Sequence, residues 1–152
     1  DLARECDIAL GTLYNYYPTK DSLVLDVVQQ FWQNCFHQKT FPEGNVLVKL
    51  DWLYAMMKQS IDEFSAEFLH AASGLSPAAL EEAKTRELRA QTHLTRQLAL
   101  ALQTSFPDET EEQLNERAAF LFTSLLGCLE NRGYQYSSLR RWLEASLSHP
   151  SK

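Results

Sequence analysis

The run Phe120-Leu121-Phe122-Thr123-Ser124-Leu125-Leu126-Gly127-Cys128-Leu129 places apolar side chains on nearly every side of a helix. A helix of that kind has to be covered on every side, and a single chain of 152 residues has few ways to cover it. The rest of the sequence supplies matching helices. Leu23, Val27, Val28, Phe31, Trp32, Cys35 and Phe36 recur at three- and four-residue steps, the period of an amphipathic helix opening at Thr19 or Lys20. Phe41-Pro42-Glu43-Gly44 breaks that helix. Asn45 is placed to cap the next, whose stripe is Val46, Leu50, Leu53, Met57 and Ile61, with a break expected near Gln59-Ser60.

Ser76-Pro77 has the cap-then-proline order of another helix start, and this helix is expected to reach about Ser105. Asp108 and Glu111 have the spacing of a capping box for the helix that ends near Asn131 and Gly133. Ser137 or Ser138 opens a last short helix carrying Leu139, Trp142, Leu143 and Leu147. No alternating strand pattern and no internal repeat is present, so the expected class is all-α. With 45% hydrophobic residues and only 5 Gly and 5 Pro, the chain can bury a real core.

The opening residues carry a different kind of information. Gly11-Thr12-Leu13-Tyr14-Asn15-Tyr16-Tyr17-Pro18-Thr19-Lys20-Asp21-Ser22-Leu23 gathers a glycine, tyrosine hydroxyls and a lysine about a short helix and a turn. That mixture suits a surface that approaches a nucleic-acid backbone and offers donors to phosphate oxygens. Leu2-Ala3-Arg4-Glu5 ends one helix, Cys6-Asp7 turns, and Ile8 begins a second, so that Leu2, Ala3, Ile8 and Leu13 share one small core.

Over about the first 25 residues this segment resembles the DNA-binding motif of the tetracycline-repressor (TetR) family. Leu2-Ala3, Cys6-Asp7-Ile8-Ala9, Leu10, Gly11-Thr12-Leu13-Tyr14, Tyr16-Tyr17, Thr19-Lys20-Asp21 and Leu23 occupy the motif's places. Asp7 stands where the family has its turn glycine, and Ala9 where it has a capping serine. The resemblance implies a partial N-terminal helix-turn-helix followed by a bundle of about six helices. It implies a DNA-binding motif with connecting helix over 1–38 and a ligand-binding and dimerisation domain over 39–152. Leu10, Gly11 and Asn15 are expected to face base edges, Asn15 with the chemistry to read adenine. Thr12, Tyr14, Tyr16 and Lys20 are expected at phosphates, with Tyr17 turned inward. The chain begins inside the motif's second helix without an initiator methionine, so the family's first helix is expected upstream. Without it, the recognition helix lacks a packing partner and duplex affinity should be weak.

The net charge of −6, with five acidic against three basic residues in positions 1–40, favours no long-range attraction to DNA. Local donors would have to carry the contact. The family layout further implies an effector pocket, for which Phe31, Cys35, Trp52, Met56, Phe64, His93, Gln97, Phe120 and Ser124 are candidates, with plain core packing as the alternative for each. A small, flat or amphipathic hydrophobic molecule is the expected effector. Leu125, Leu129, Leu139, Trp142 and Leu143 are candidates for a homodimer seam, or else fill the chain's own core.

Catalytic chemistry has little to stand on. Glu67-Phe68-Leu69-His70 has the Glu-x-x-His spacing of di-iron bundles but no second pair to face it. His37, His93 and His149 are scattered, and Cys6, Cys35 and Cys128 lack zinc spacing. No catalytic set, metal or cofactor is expected. The odd, widely spaced cysteines suit a reducing cytoplasm, and no apolar run reaches membrane-spanning length. The expected function is a ligand-responsive, homodimeric transcriptional repressor on double-stranded operator DNA. A helical-bundle enzyme acting on a hydrophobic substrate, or a protein-binding adaptor, is the alternative.

Overall fold

A computed structural model of the chain describes residues 16–36 and 39–148. Every regular element among them is helical: α1 (Lys20–Phe36), α2 (Val46–Glu67), α3 (Leu69–Ser73), α4 (Pro77–Leu102), α5 (Glu111–Leu129) and α6 (Tyr136–Ser148). The protein is an all-α helical bundle. None of these helices is long and apolar enough to cross a membrane.

Local chemistry sets the ends of the helices. At α1, Thr19 Oγ1 accepts from the Ser22 amide (3.1 Å) and Ser22 Oγ accepts from the Thr19 amide (3.3 Å), a reciprocal cap. Asn45 Oδ1 accepts from the Val48 amide (3.1 Å) at the start of α2. Ser76 Oγ accepts from the Ala79 amide (3.3 Å), with Pro77 as the first residue of α4.

Several boundaries differ from expectation: α4 ends at Leu102 rather than about Ser105, and α6 opens at Tyr136 rather than Ser137 or Ser138. α2 runs unbroken through Gln59-Ser60 because Ser60 is buried with its hydroxyl donating to the Met56 carbonyl one turn back (2.9 Å). The break falls instead at Phe68. α5 is capped by Thr110 and Gln113 rather than Asp108 and Glu111: Thr110 is extended (φ −71°, ψ 162°), which aims its hydroxyl at the Gln113 amide while Gln113 Oε1 returns to the Thr110 amide (2.8 Å). The end of α5 is made by Asn131, whose φ of +54° lets the Arg132 amide reach the Gly127 carbonyl (3.0 Å) and its own amide the Cys128 carbonyl (3.3 Å). Gly133 (φ +92°) follows in the turn.

The described residues divide into two compact units, one combining 16–36 with 62–89 and the other 39–61 with 90–148. Segment 62–89 groups with α1 in the first of these. In the first unit α1 packs on α3. Phe31, Trp32, Phe36, Phe64 and Phe68 form a ring cluster there, with Phe31 centroids 5.2 Å from Trp32 and 5.1 Å from Phe68. All five are only half-buried. Polar contacts add two clasps. Asp21 accepts from the Ser76 hydroxyl (2.5 Å), and Arg86 spans Glu82, Asp26 and Gln29 (2.7, 3.1 and 2.7 Å).

The second unit holds the aliphatic core: Leu50 and Leu53 of α2, Leu98 and Leu102 of α4, Leu121, Phe122 and Leu125 of α5, and Leu143 of α6. Lys49, 4% exposed, lies among them. Its ammonium donates to the Gly44 carbonyl (2.5 Å) and the Thr104 hydroxyl (3.2 Å), just past the carbonyl end of α4, where a helix dipole favours a cation.

Candidate functional site

Of the seven residues expected at DNA, Leu10, Gly11, Thr12, Tyr14 and Asn15 lie outside the described residues. Tyr16 and Lys20 lie within them. Tyr16 is 77% exposed, Lys20 is exposed as the first residue of α1, and Tyr17 between them is half-buried. The Pro18-Thr19 cap that orients the start of α1 thus leaves a phenol and an ammonium facing solvent close together in the chain.

The nine pocket candidates divide between the units. Phe31, Cys35 and Phe64 are half-buried in the first, Phe31 and Phe64 with ring centroids 5.9 Å apart. In the second, Trp52 and Met56 come together in an open groove of about 410 Å³, walled also by Lys39, Thr40, Ala55 and Gln59. His93 and Gln97 lie exposed on α4. Phe120 is 55% exposed on α5, and the Ser124 hydroxyl is turned back to the Phe120 carbonyl (2.8 Å). These four do not join Trp52 and Met56 in the groove wall. The period of α4 and α5 accounts for the difference: their inward stripes are Leu98, Leu102, Leu121 and Leu125, and the polar and aromatic candidates fall on the opposite face.

The seam candidates divide as well. Leu125 and Leu143 are 0% and 7% exposed within the one chain, so they are core residues with no surface left for a second copy. Leu129 and Leu139 are half-buried. Trp142 is 57% exposed and tilts against Phe120, centroids 6.5 Å apart. α5 and α6 thus present an exposed phenylalanine beside an exposed tryptophan, with Leu147 of α6 also exposed. The all-round apolar run therefore resolves into two faces, with Leu121, Phe122, Leu125 and Cys128 inward and Phe120 outward.

Sequence reasoning missed the clasp between α2 and α6. Asp51 accepts from Tyr136 Oη (2.6 Å) and from Arg140 Nε (2.9 Å), and the Tyr136 ring stacks on Tyr54 with centroids 4.0 Å apart and planes at 8°. Partial burial pushes the Asp51 carboxyl up, but the hydrogen bonds from Arg140 and Tyr136 and the Arg140 charge outweigh it and hold the group below the usual carboxylate range. Burial, followed by the bond to Asp51, pushes the Tyr136 phenol well above its ordinary value. The four-residue spacing of Tyr136 and Arg140 was a visible signal that they share a face. Nothing in the sequence pointed to Asp51.

Among the described residues no group of three or more His, Cys, Asp or Glu is disposed to hold a metal ion. Glu67 and His70 are both exposed, Glu67 closing α2 and His70 in the short α3. Comparison with protein-family models, curated proteins and solved structures gives no match to this chain.

Proposed function

We propose that the chain is a ligand-responsive, DNA-binding transcriptional regulator of the tetracycline-repressor type, acting as a homodimeric repressor in the cytoplasm. The reading is carried by about the first 25 residues, Leu2 to Leu23, in which a dozen positions agree with that family in type and spacing. Two features support it. Tyr16 and Lys20 are exposed at the start of α1, as phosphate contacts require. Phe120 and Trp142 offer an apolar surface of the kind a second copy covers. The seam is then built on this exposed pair with Leu129 and Leu139 at its edge, rather than on Leu125 and Leu143.

Two recognition helices must stand roughly 34–36 Å apart to enter successive major grooves on one face of a duplex. An effector that binds better to a different separation lowers operator affinity by the difference in its binding free energies for the two states. α1 continues directly from the motif, so it is the lever of that change.

The test is duplex selection from a random pool, with the chain extended upstream by the expected first helix, followed by binding over a range of salt. A palindromic site should emerge, and Tyr14→Phe, Tyr16→Phe and Lys20→Gln together should weaken binding at least about tenfold and flatten its salt dependence. No preference for any duplex at low ionic strength would end this reading. An unchanged salt slope in the triple variant would favour an adaptor that binds protein.

A further inference from the structure

The groove of the second unit has a chemistry narrower than "hydrophobic". Its floor is Trp52 and Met56, with Met56 buried and Trp52 half-buried. Phe41 braces the indole from outside the groove wall, centroids 5.0 Å apart and planes at 54°. The ring is thereby held in place, with groove-facing surface left over. The polar residues of its lining, Lys39, Thr40 and Gln59, are all exposed, which places them at the rim. No carboxylate lines the groove, and Lys39 makes no ion pair among the described residues. A single cation with no counter-charge among the described residues, beside an aromatic floor, is complementary to a flat apolar body carrying one negative charge. The volume of about 410 Å³ falls within the range of small-molecule sites, roughly 300–1,000 Å³.

We propose that this groove binds a flat aromatic monocarboxylate, with its rings on Trp52 and Met56 and its carboxylate at Lys39. The proposal deepens the effector reading above and rests on it only for the consequence of binding. A neutral flat molecule would leave the Lys39 charge unused, and an aliphatic acid would forgo the ring-on-ring contact with Trp52.

The experiment is calorimetric titration of the chain with 2-naphthoate and with its neutral counterpart 2-naphthamide, in low salt and without DNA. 2-Naphthoate should bind about fivefold more tightly than the amide, the worth of one exposed charge-assisted contact. Lys39→Gln should erase that preference, while Lys84→Gln, an exposed lysine outside the groove, should keep it. Trp52→Leu should weaken both ligands. Absence of 2-naphthoate binding, equal affinity for acid and amide in the unaltered chain, or a preference that survives Lys39→Gln would overturn the proposal. The acid–amide comparison needs no variant, so a misfolded Trp52→Leu protein does not rescue it. Because DNA is absent, failure here leaves the DNA-binding reading intact, and failure to select any duplex leaves this site intact.

Discussion

The two units of this chain are held together by different physics. The second is an aliphatic interior in which Leu50, Leu53, Leu98, Leu102 and Leu125 are almost completely removed from water. In the first, Ala79 is the one buried apolar residue among the described positions, and neither α1 nor α3 buries any residue fully. Its cohesion comes from half-exposed rings and from the Asp21–Ser76 and Arg86 clasps. Burial of apolar area is worth about 25 cal/mol per Å², whereas an exposed ion pair contributes roughly 0–1 kcal/mol. The lesson is that α1, into which the Gly11–Leu23 segment runs, sits in the less firmly held unit, where local opening costs least.

The largest expected effect tests that contrast directly. Leu53→Ala should cost about 2–5 kcal/mol in urea unfolding, because the side chain is 0% exposed and its removal leaves a cavity. Phe31→Ala, at a half-buried ring in the first unit, should cost less than half as much. Equal costs would remove the distinction between the units.

Gly127 sharpens it within the second unit. A Cβ there would overlap the Tyr134 hydroxyl and lie 2.9 Å from its Cζ, displacing the ring whose hydroxyl donates to the Ser124 carbonyl (3.1 Å). Gly127→Ala should therefore destabilise by about 1 kcal/mol, the value of the hydrogen bond and packing lost beyond the helix-propensity gain. In a Tyr134→Ala background the same change should stabilise by about 0.5–1 kcal/mol. A sign that does not reverse would show that the two residues are uncoupled.

Acidification is expected to loosen the second unit at the Asp51 clasp. The folded-state pKa of Asp51 lies below its ordinary 3.8, so the clasp contributes fully above that value. The contribution is lost as pH falls through the lower folded value. Since Asp51 and Arg140 are both more than a third exposed, solvent screening keeps that contribution small. Asp51→Asn should remove that part of the acid dependence. If the variant and the parent chain lose stability in parallel below pH 4, the clasp carries no energy.

The smallest effect belongs to the first unit. Arg86→Gln removes exposed contacts to Asp26 and Glu82 and should cost about 0.5 kcal/mol, fading with added salt. Amide exchange in α1 should rise while exchange in α5 stays constant. An equal rise in both would mean that the units open together.

What was legible in the sequence follows from range. The Val46–Met57 stripe, the Asn45 and Ser76 caps and the helical class depend on neighbours within a turn or two, and they were visible. The Thr110 cap was missed because Asp108–Glu111 offers the same spacing two residues earlier, and only backbone dihedrals separate the two. The seam and pocket candidates mixed two faces of α5, since an all-round apolar helix gives periodicity nothing to choose between. The Asp51–Tyr136–Arg140 clasp joins residues 85 and 89 positions apart, a pairing that no local pattern encodes. Residues 1–15, which carry most of the motif, lie outside the described residues.

Lys49 turns the interior of the second unit into something chemistry can interrogate. Its amine is shut away behind Gly44 and Thr104, whereas those of Lys20, Lys39 and Lys84 stand in water. An amine-reactive reagent should therefore mark exposed lysines such as these early and spare Lys49 until the helices around it part. Its rate of modification becomes a clock for breathing of the core, and it can be read on the unaltered chain, with or without ligand.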